Sequence, residues 1–323
     1  MSSLFVFTLC LSGAVLLFRE PLDALVTPAR VVVPAAVAKG FDALARDVER
    51  HYPGAVVTGF EIPQLRERVY AAYVSQGPRF FVAFTDPYTG RVTGERVGDG
   101  LANGTRRVHV NFYWLTRVWV GAAGVVLLLS ALTGLLIYWP FARGLGRWWQ
   151  IRKGLQFSVS DWHKLLGLMS SVFLLLLSVT GALMGFARYI GPLQRAPKAV
   201  RGSGAAAISG DEAMAIALRR ISMRPTSLLL PGPGAPRYTI YGTVEQAFAA
   251  DASSFVVVHS ATGEVVDAHD IREASLAVLL FSAMERLHYG AFGGAAVKIL
   301  YFVFGLTAAL LPVSGSLLWW LKK

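Results

Sequence analysis

An uninterrupted apolar run over residues 165–186 constrains the fold of this chain more than any other feature. At about 1.5 Å of rise per residue, a helix of this length crosses the roughly 30 Å hydrocarbon core of a bilayer. His163 precedes the run and Arg188 follows it, so residues 161–188 are predicted to form a membrane-spanning helix. A histidine at the end of such a helix is a candidate metal ligand, a proton carrier or an interfacial residue, and all three roles are open at this point.

The composition agrees with a membrane protein that also has sizeable water-facing parts. Hydrophobic residues make up 54% of the 323 residues, compared with about 45–50% in soluble domains. The formal net charge of +11 favours contact with anionic lipid or an anionic ligand. No nucleic-acid-binding motif accompanies this charge, so no nucleic-acid partner is expected. Cys10 is the single cysteine of this sequence, which excludes disulfides within it, cysteine-ligated iron–sulfur clusters and covalent haem attachment.

Residues 1–20, 114–140 and 294–321 are predicted to form three further membrane helices. The first segment has neither the charged start nor the cleavage site of a signal peptide. It aligns with the central segment when Gly13 is placed on Gly181, and the counterpart of His163 then falls before Met1. We therefore expect that the first helix lacks its N-terminal turn or that the true start lies further upstream.

The distribution of basic residues predicts the orientation in the membrane. The loop 141–160 contains four basic residues and no acidic one, and the chain ends in two lysines. These basic residues are Arg143, Arg147, Arg152, Lys153, Lys322 and Lys323. Short basic loops stay in the cytoplasm. Both termini are therefore predicted to be cytoplasmic, and the polar regions 21–113 and 189–293 to lie on the outer side.

Each polar region is predicted to be a small α+β domain. In the first, FDALARDVERHYPGA has helical spacing, and VYAAYV, RFFVAFTD and RVTGERV alternate like strands. The second begins with a Pro/Gly/Ser/Ala-rich linker at 192–210, followed by the helix DEAMAIALRRI and the strands RYTIYG and SFVVVHS. The turns that end at Gly90 and Gly263 resemble each other. The predicted fold is therefore a four-helix membrane bundle made of two parallel repeats, with two extracytoplasmic α+β domains.

Two histidines occupy equivalent places in the two repeats. His109 precedes the second membrane helix and His288 precedes the fourth, so they are predicted to face each other across the pseudo-axis. Two neutral imidazoles in an apolar cleft suit a six-coordinate haem, and they suit zinc less well because no cysteine or carboxylate accompanies them. Interfacial histidines are the alternative. Arg106, Arg107 and Arg286 flank the pair and are either anchors for propionates or another anion, or ordinary interfacial charges.

Glycines recur inside the predicted membrane helices. They are Gly121, Gly124, Gly134, Gly167, Gly181, Gly305 and Gly315. Close packing between helices is the first interpretation, and room for a flat macrocycle is the second.

Five motifs, taken in their order along the chain, resemble the PepSY-associated transmembrane-helix proteins. They are DPYTGRV at 86–92, SALTGLLIYWP at 130–140, DWHKLLGL at 161–168, TGAL at 180–183 and ERLHYGAFGG at 285–294. The resemblance covers nearly the whole chain. Each motif alone is loose, and their order is the specific part of the pattern.

The resemblance implies a haem protein of the bacterial inner membrane with periplasmic polar domains. Members of this family include reductases that release iron from siderophores, with haem held between the membrane helices. By this resemblance, His109 and His288 ligate an outer haem b, and His163 belongs to an inner haem. The second ligand of an inner haem normally comes from an LHRWLGL-like start of the first helix, which this sequence lacks. One haem is therefore expected, and a second depends on another ligand or an upstream start.

The first functional hypothesis is a transmembrane electron carrier that reduces a ferric siderophore or a similar ferric chelate during iron uptake. The sequence contains no counterpart of the flavin reductase domain fused to some relatives, so the expected donor is a separate cytoplasmic flavoprotein or a quinol. The alternative is a non-enzymatic PepSY module that binds or inhibits a peptidase or senses an envelope signal. A transporter subunit is a third hypothesis, against which the membrane helices lack paired Asp, Glu or Lys residues.

Overall fold

A computed structural model describes residues 2–19, 21–22, 31–98, 100–112, 114–142, 151, 153–190, 196–200, 206–246 and 249–322. Much of the predicted basic loop, including Arg143, Arg147 and Arg152, lies outside the described residues, as do much of the linker 192–210 and Lys323. The chain divides into two compact units. The first, here called the membrane unit, comprises Met1–Leu22, Leu101–Leu193 and Met284–Lys323, and the second, the sheet unit, comprises Asp23–Gly100 and Gln194–Ala283.

The helices are numbered in chain order. They are α1 (Ser2–Leu16), α2 (Phe41–His51), α3 (Gly100–Asn111), α4 (Arg117–Ala142), α5 (Leu155–Ile190), α6 (Gly210–Arg220), α7 (Leu276–Tyr289) and α8 (Gly294–Leu321). The strands are β1 (Val56–Glu61), β2 (Tyr70–Gln76), β3 (Arg79–Thr85), β4 (Val92–Val97), β5 (Arg224–Leu229), β6 (Arg237–Thr243), β7 (Ser254–His259) and β8 (Val265–His269).

Three helices of the membrane unit are long and apolar enough to cross a bilayer. They are α4, α5 and α8, over Arg117–Trp139, Leu155–Ala187 and Gly294–Leu321, within the part of the chain that the structure describes. Helix α1 is apolar but shorter. Ile137, Val172 and Trp320 are 73%, 78% and 66% exposed on these helices, as side chains that face lipid tails would be. Helix α5 begins before the predicted position 161 because hydropathy locates an apolar run and not the end of a helix.

Glycines allow the membrane helices to pack closely, as the sequence predicted for Gly121, Gly124 and Gly305. A Cβ atom on Gly185 of α5 would lie 2.5 Å from the Cα atom of Gly121 on α4. One on Gly124 would lie 3.0 Å from the backbone of α5, and one on Gly305 of α8 would lie 3.2 Å from a side chain of α1. The backbones of α4 and α5 therefore approach so closely that neither helix has room for a larger residue at this crossing.

The sheet unit contains one antiparallel sheet of eight strands in the order β4-β3-β2-β1-β5-β6-β7-β8. The sequence predicted two small domains, and the structure joins the two polar regions through the pairing of β1 with β5. In this pairing Phe60 lies opposite Leu228, and both side chains are fully buried. Each four-stranded half would otherwise leave an unpaired edge, so this pairing satisfies the backbone groups of both edges.

The two predicted helices of the polar regions are confirmed as α2 and α6. Helix α2 buries Leu44 and Val48 against the first four strands, and α6 buries Ala213 and Ala217 against the last four. The predicted strands β2, β3, β4, β6 and β7 are also present. The sequence did not predict β1, β5 and β8, whose segments contain Gly59 or Pro225 or are only five residues long.

The N-termini of α2 and α6 cap each other. A carboxylate oxygen of Asp211 on α6 accepts a hydrogen bond from the backbone N–H of Phe41 at 2.8 Å. Both carboxylate oxygens of Asp42 on α2 lie 3.1 Å from the backbone nitrogen of Gly210. Each helix thus places an acidic residue on the positive end of the other, which ties the two halves of the sheet unit together.

Candidate functional site

The structure brings together the two histidines that the sequence predicted to face each other. His109 lies near the end of α3, and His288 lies near the end of α7. Their ring centroids are 6.2 Å apart, and the ring planes are inclined by 44°. Both residues belong to the membrane unit. The two imidazoles therefore form one candidate site.

The ring of His109 is held by α1. Its Nδ1 atom lies 3.1 Å from the carbonyl oxygen of Leu9 and 3.0 Å from the hydroxyl oxygen of Ser12. A carbonyl only accepts, so Nδ1 carries the proton and donates it. The Ser12 hydroxyl donates to the carbonyl of Thr8 at 2.6 Å and accepts from the histidine. Beside it, a Cβ atom on Gly13 would lie 2.9 Å from the ring carbon Cε1, so glycine makes room for the imidazole.

The ring of His288 is held by α5 in the same way. Its Nδ1 atom lies 2.9 Å from the hydroxyl oxygen of Thr180. That hydroxyl donates to the carbonyl of Leu176 at 2.7 Å and is left as an acceptor for the histidine. A Cβ atom on Gly181 would lie 3.1 Å from Cε1 of His288. The Leu9 carbonyl requires the proton on Nδ1 of His109. A Thr180 hydroxyl that donates to its own helix places the proton on Nδ1 of His288 as well, so that the lone pair of Nε2 is available as a ligand in both rings.

Burial keeps both imidazoles neutral. It lowers the pKa of His109 from 6.5 to about 4, an effect that a hydrogen bond to the Leu9 carbonyl opposes and the charge of Arg106 adds to. Burial also lowers the pKa of His288 from 6.5 to about 3, with a further contribution from the facing His109. At neutral pH neither ring is protonated on both nitrogens, which is the state that a metal ligand requires.

The separation of the two rings fits a single metal ion between them. Two metal–nitrogen bonds of about 2.0 Å, with about 1.1 Å from each nitrogen to its ring centre, place the centroids about 6.2 Å apart. The observed distance is 6.2 Å. Among the residues described by the structure, no group of three or more His, Cys, Asp or Glu side chains is placed to hold a metal. Two imidazoles with no further protein ligand among the described residues would suit a metal whose other ligands come from a macrocycle such as haem.

The predicted arginines flank the pair in different ways. The guanidinium of Arg286 donates from Nε and Nη2 to the carbonyl of Ala291 at 3.1 and 2.7 Å, which holds the turn between α7 and α8. Tyr301 adds a hydrogen bond of 2.7 Å to the carbonyl of Leu287, next to His288. Arg106 is exposed and close enough to His109 to influence its pKa. Positive charge therefore lies near the imidazoles, and its role in anion binding stays a prediction.

His163 lies near the start of α5 and is bound by α8. Its Nδ1 atom lies 2.8 Å from the hydroxyl oxygen of Ser314, and that hydroxyl donates to the carbonyl of Leu310 at 2.9 Å. A Cβ atom on Gly315 would lie 3.5 Å from Cε1 of His163. The ring is therefore held by a hydroxyl and a glycine, as the other two rings are.

A cavity of about 830 Å³ adjoins His163 inside the membrane unit. Its lining is mainly apolar and comes from α1, α4, α5 and α8, with Asp161, Lys164 and Ser130 among its polar residues. Gly134 and Gly167, which the sequence marked as possible space for a macrocycle, also line it. Cofactor pockets typically have about 300–1,000 Å³, so the cavity has the size and polarity of a cofactor site with one imidazole in its wall.

Sequence reasoning missed the three hydroxyl residues that hold the histidines. They are Ser12, Thr180 and Ser314. The signal was present, because each precedes a glycine inside an apolar segment. In the sequence, these Ser/Thr-Gly pairs indicated only how the apolar segments align with one another.

The remaining histidines belong to the sheet unit and have ordinary local contacts. Nδ1 of His259 accepts a hydrogen bond from the N–H of Ala261 at 3.2 Å within a turn. His51 and His269 each pack against a neighbouring aromatic ring.

Comparison with known proteins identifies a family and no individual relative. A search of curated proteins gives no match to the chain. The profile of the family described as PepSY-associated TM region matches residues 1–322, which is almost the entire sequence. This match agrees with the order of the sequence motifs and with the apolar helices of the membrane unit. The chain belongs to the family of PepSY-associated TM regions.

Proposed function

We propose that this chain is a haem-binding protein of the bacterial inner membrane that passes electrons to a ferric siderophore or a similar ferric chelate outside the membrane. One observation carries the proposal. His109 and His288 lie 6.2 Å apart, and hydrogen bonds from both Nδ1 atoms leave both Nε2 atoms as ligands. Membership of the family of PepSY-associated TM regions supports the membrane location in this proposal.

Each site residue has a role in this proposal. His109 and His288 would hold an outer haem b, and His163 would hold an inner haem in the adjoining cavity. Arg106 and Arg286 supply positive charge for propionates or an anionic chelate. A bound haem supplies one-electron oxidation and reduction. Burial lowers the pKa of both imidazoles, which holds both rings neutral at physiological pH.

The proposed topology has four membrane helices in two parallel repeats. It is supported by the apolar helix α1 and by the element order, in which a helix, four strands and a further helix precede a membrane helix twice. Lys153 and Lys322 agree with cytoplasmic loops and termini. The polar regions would then be periplasmic, and a cytoplasmic flavoprotein or a quinol would supply electrons. Oxygen ligands of a siderophore are hard donors that hold the ferric ion, so reduction weakens the complex.

The decisive test is a dithionite-reduced minus oxidised visible spectrum of the full chain, purified in detergent from haem-replete cells. We expect a sharp low-spin b-type α-band that is lost in His288→Ala and kept in His259→Ala, which changes a histidine of the sheet unit. A haem content near one per chain would assign haem to the outer pair alone, and a content near two would add the cavity beside His163. A spectrum without a haem band would refute the proposal and favour a module that binds a peptidase or senses a signal.

The acceptor is tested separately in proteoliposomes. With a reduced electron donor enclosed inside, wild-type protein is expected to reduce an external ferric siderophore, and His288→Ala is expected not to. Equal rates for the two proteins would refute electron transfer through the histidine pair even if haem is bound.

A further inference from the structure

A Ser/Thr-Gly pair occurs once in each of the four apolar helices of the membrane unit. The pairs are Ser12-Gly13 in α1, Thr133-Gly134 in α4, Thr180-Gly181 in α5 and Ser314-Gly315 in α8. In three of the four, a histidine from another part of the chain lies over the glycine. The hydroxyl oxygens lie 3.0, 2.9 and 2.8 Å from Nδ1 of these histidines, taking α1, α5 and α8 in turn.

The direction of these hydrogen bonds follows from the helices themselves. Each hydroxyl donates its proton to the carbonyl one turn earlier, at 2.6 Å in α1, 2.7 Å in α5 and 2.9 Å in α8. With its proton on that carbonyl, the hydroxyl oxygen accepts from the imidazole, and the ring then carries its proton on Nδ1. The lone pair of Nε2 is left for a ligand. The backbone hydrogen bond of the hydroxyl therefore determines which nitrogen of the histidine binds a metal.

The glycine provides the space that the ring occupies. An added Cβ atom would lie 2.9 Å from Cε1 of His109 at Gly13, 3.1 Å from Cε1 of His288 at Gly181, and 3.5 Å from Cε1 of His163 at Gly315. The first two distances are too short for a methyl group to fit without displacing the ring. The third is an ordinary contact. The three glycines therefore constrain their histidines to different degrees.

We propose that the Ser/Thr-Gly pair is a histidine seat, in which the glycine admits the ring and the hydroxyl fixes its tautomer and tunes the metal that it binds. Ser12, Thr180 and Ser314 are then positioning residues for His109, His288 and His163. The identity of the bound group rests on the proposed function. The tautomer does not, since it is inferred from the hydrogen bonds of the chain itself.

The fourth pair provides a matched control within the same chain. The Thr133 hydroxyl donates to the carbonyl of Leu129 at 2.8 Å, like the hydroxyls of the other pairs. A Cβ atom on Gly134 would meet nothing within 4 Å, so no described histidine lies over it. Thr133→Val makes the same chemical change as Thr180→Val, at a pair without a seated ring in the described structure.

The two seats of the histidine pair are not equally sensitive. His109 donates to the Leu9 carbonyl as well as to Ser12, so Ser12→Ala leaves it one acceptor. For His288, Thr180 is the one acceptor of Nδ1 found among the described residues. Thr180→Val therefore removes the hydrogen bond entirely and keeps the shape of the side chain. We expect a larger effect from Thr180→Val than from Ser12→Ala.

The first experiment measures the midpoint potential of the full-length haem-loaded protein. A hydrogen bond from Nδ1–H makes Nε2 a stronger donor and favours the oxidised metal, so its loss raises the potential. For Thr180→Val we expect about a tenfold higher ratio of reduced to oxidised haem at fixed potential, which is about 59 mV for a one-electron couple. Ser12→Ala is expected to change the ratio less. Thr180→Ser keeps the hydroxyl and is expected to keep the wild-type ratio, and Thr133→Val is expected to leave the ratio unchanged. A potential that does not change in Thr180→Val would overturn the proposal, and so would an equal change in Thr133→Val.

The second experiment observes the tautomer directly. In full-length protein with ¹⁵N-labelled histidine, NMR is expected to show His288 protonated on Nδ1 in the wild type and to lose this preference in Thr180→Val. A chain that carries no haem but shows this change would refute the proposed function and support the seat. A haem-loaded chain whose tautomer and potential ignore Thr180→Val would support the proposed function and refute the seat.

The glycine variants provide a third, graded readout. The haem bound by the histidine pair is expected to decrease most in Gly13→Ala, less in Gly181→Ala and not in Gly104→Ala, which adds a Cβ atom with nothing within 4 Å. An equal loss in Gly13→Ala and Gly104→Ala would show that any added methyl group has this effect, and it would overturn the role of the glycine in the seat.

Discussion

Replacing Asp211 by alanine removes the carboxylate that caps α2. The N-cap residue of this helix, Gly40, has no side chain to accept a hydrogen bond, so the N–H of Phe41 depends on Asp211 at 2.8 Å. A side-chain cap contributes about 0.5–2 kcal/mol to helix stability. Asp211 also lies in the first turn of α6, where an acidic residue adds about 0.3–1 kcal/mol. Asp211 is exposed, so solvent screens its charge and the sum of the two contributions is an upper limit. We therefore expect Asp211→Ala to lower the free energy of local unfolding at the start of α2 by about 1–2 kcal/mol.

The reciprocal variant provides an internal comparison. Helix α6 has its own capping box, formed by Ser209 and Glu212, in addition to Asp42. Asp42→Ala therefore leaves the start of α6 partly capped, and we expect a smaller loss of about 0.5–1 kcal/mol. Asp211→Asn keeps an acceptor oxygen, so its free energy of local unfolding is expected to lie between those of the wild type and Asp211→Ala.

Hydrogen–deuterium exchange of the full-length protein measures these differences at each helix. A loss of 1–2 kcal/mol corresponds to about 5- to 30-fold faster exchange of the α2 amides. Glu264→Ala, which changes an exposed acidic residue in a turn of the sheet unit, is the control. If Asp211→Ala accelerates exchange in α2 no more than Glu264→Ala does, or if Asp42→Ala has the larger effect, the two helices do not cap each other as described.

Two further predictions concern the crossing of α4 and α5 and the stability at acid pH. Gly185→Ala would place Cβ 2.5 Å from Cα of Gly121, so we expect a loss of about 1–3 kcal/mol, measured as a lower unfolding temperature in detergent. The hydrogen bond from Lys39 lowers the pKa of Asp47 below 3.8, so the pair stabilises the fold above that pH and loses this effect as the pH falls through the lowered pKa. Asp47→Asn should flatten the dependence of stability on pH below about pH 4, and an unchanged acid unfolding curve would contradict this.

The membrane helices and much of the sheet unit were predictable because their signals are local. A long apolar run forces a helix, since a bilayer leaves no other partner for backbone N–H and C=O groups. Alternation identified β2, β3, β6 and β7, and helical spacing identified α2 and α6. Strands β1, β5 and β8 were missed because a glycine, a proline or a short length weakens the alternation there.

The histidine pair was predictable to a limited extent. Equivalent positions in two similar halves predicted that His109 and His288 would lie together, and the structure brings their rings within 6.2 Å. The helices that carry them, α3 and α7, were not predicted, and the recurring Ser/Thr-Gly pairs did not indicate which histidine each hydroxyl would bind. Ser12 and His109 are far apart in the chain, as are His163 and Ser314.

The sequence by itself indicated a membrane protein, located the three helices that are long and apolar enough to span a bilayer, and pointed to the two histidines that lie together. Each of these follows from composition, spacing or repetition along the chain, which need no knowledge of distant contacts. Tertiary structure alone decided that the polar regions share one sheet, that a cavity adjoins His163, and that Ser/Thr-Gly pairs hold the imidazoles. These features depend on how distant backbones approach each other. A hydrogen bond or a missing Cβ atom acts only at contact distance, and that distance is set when the helices and strands pack.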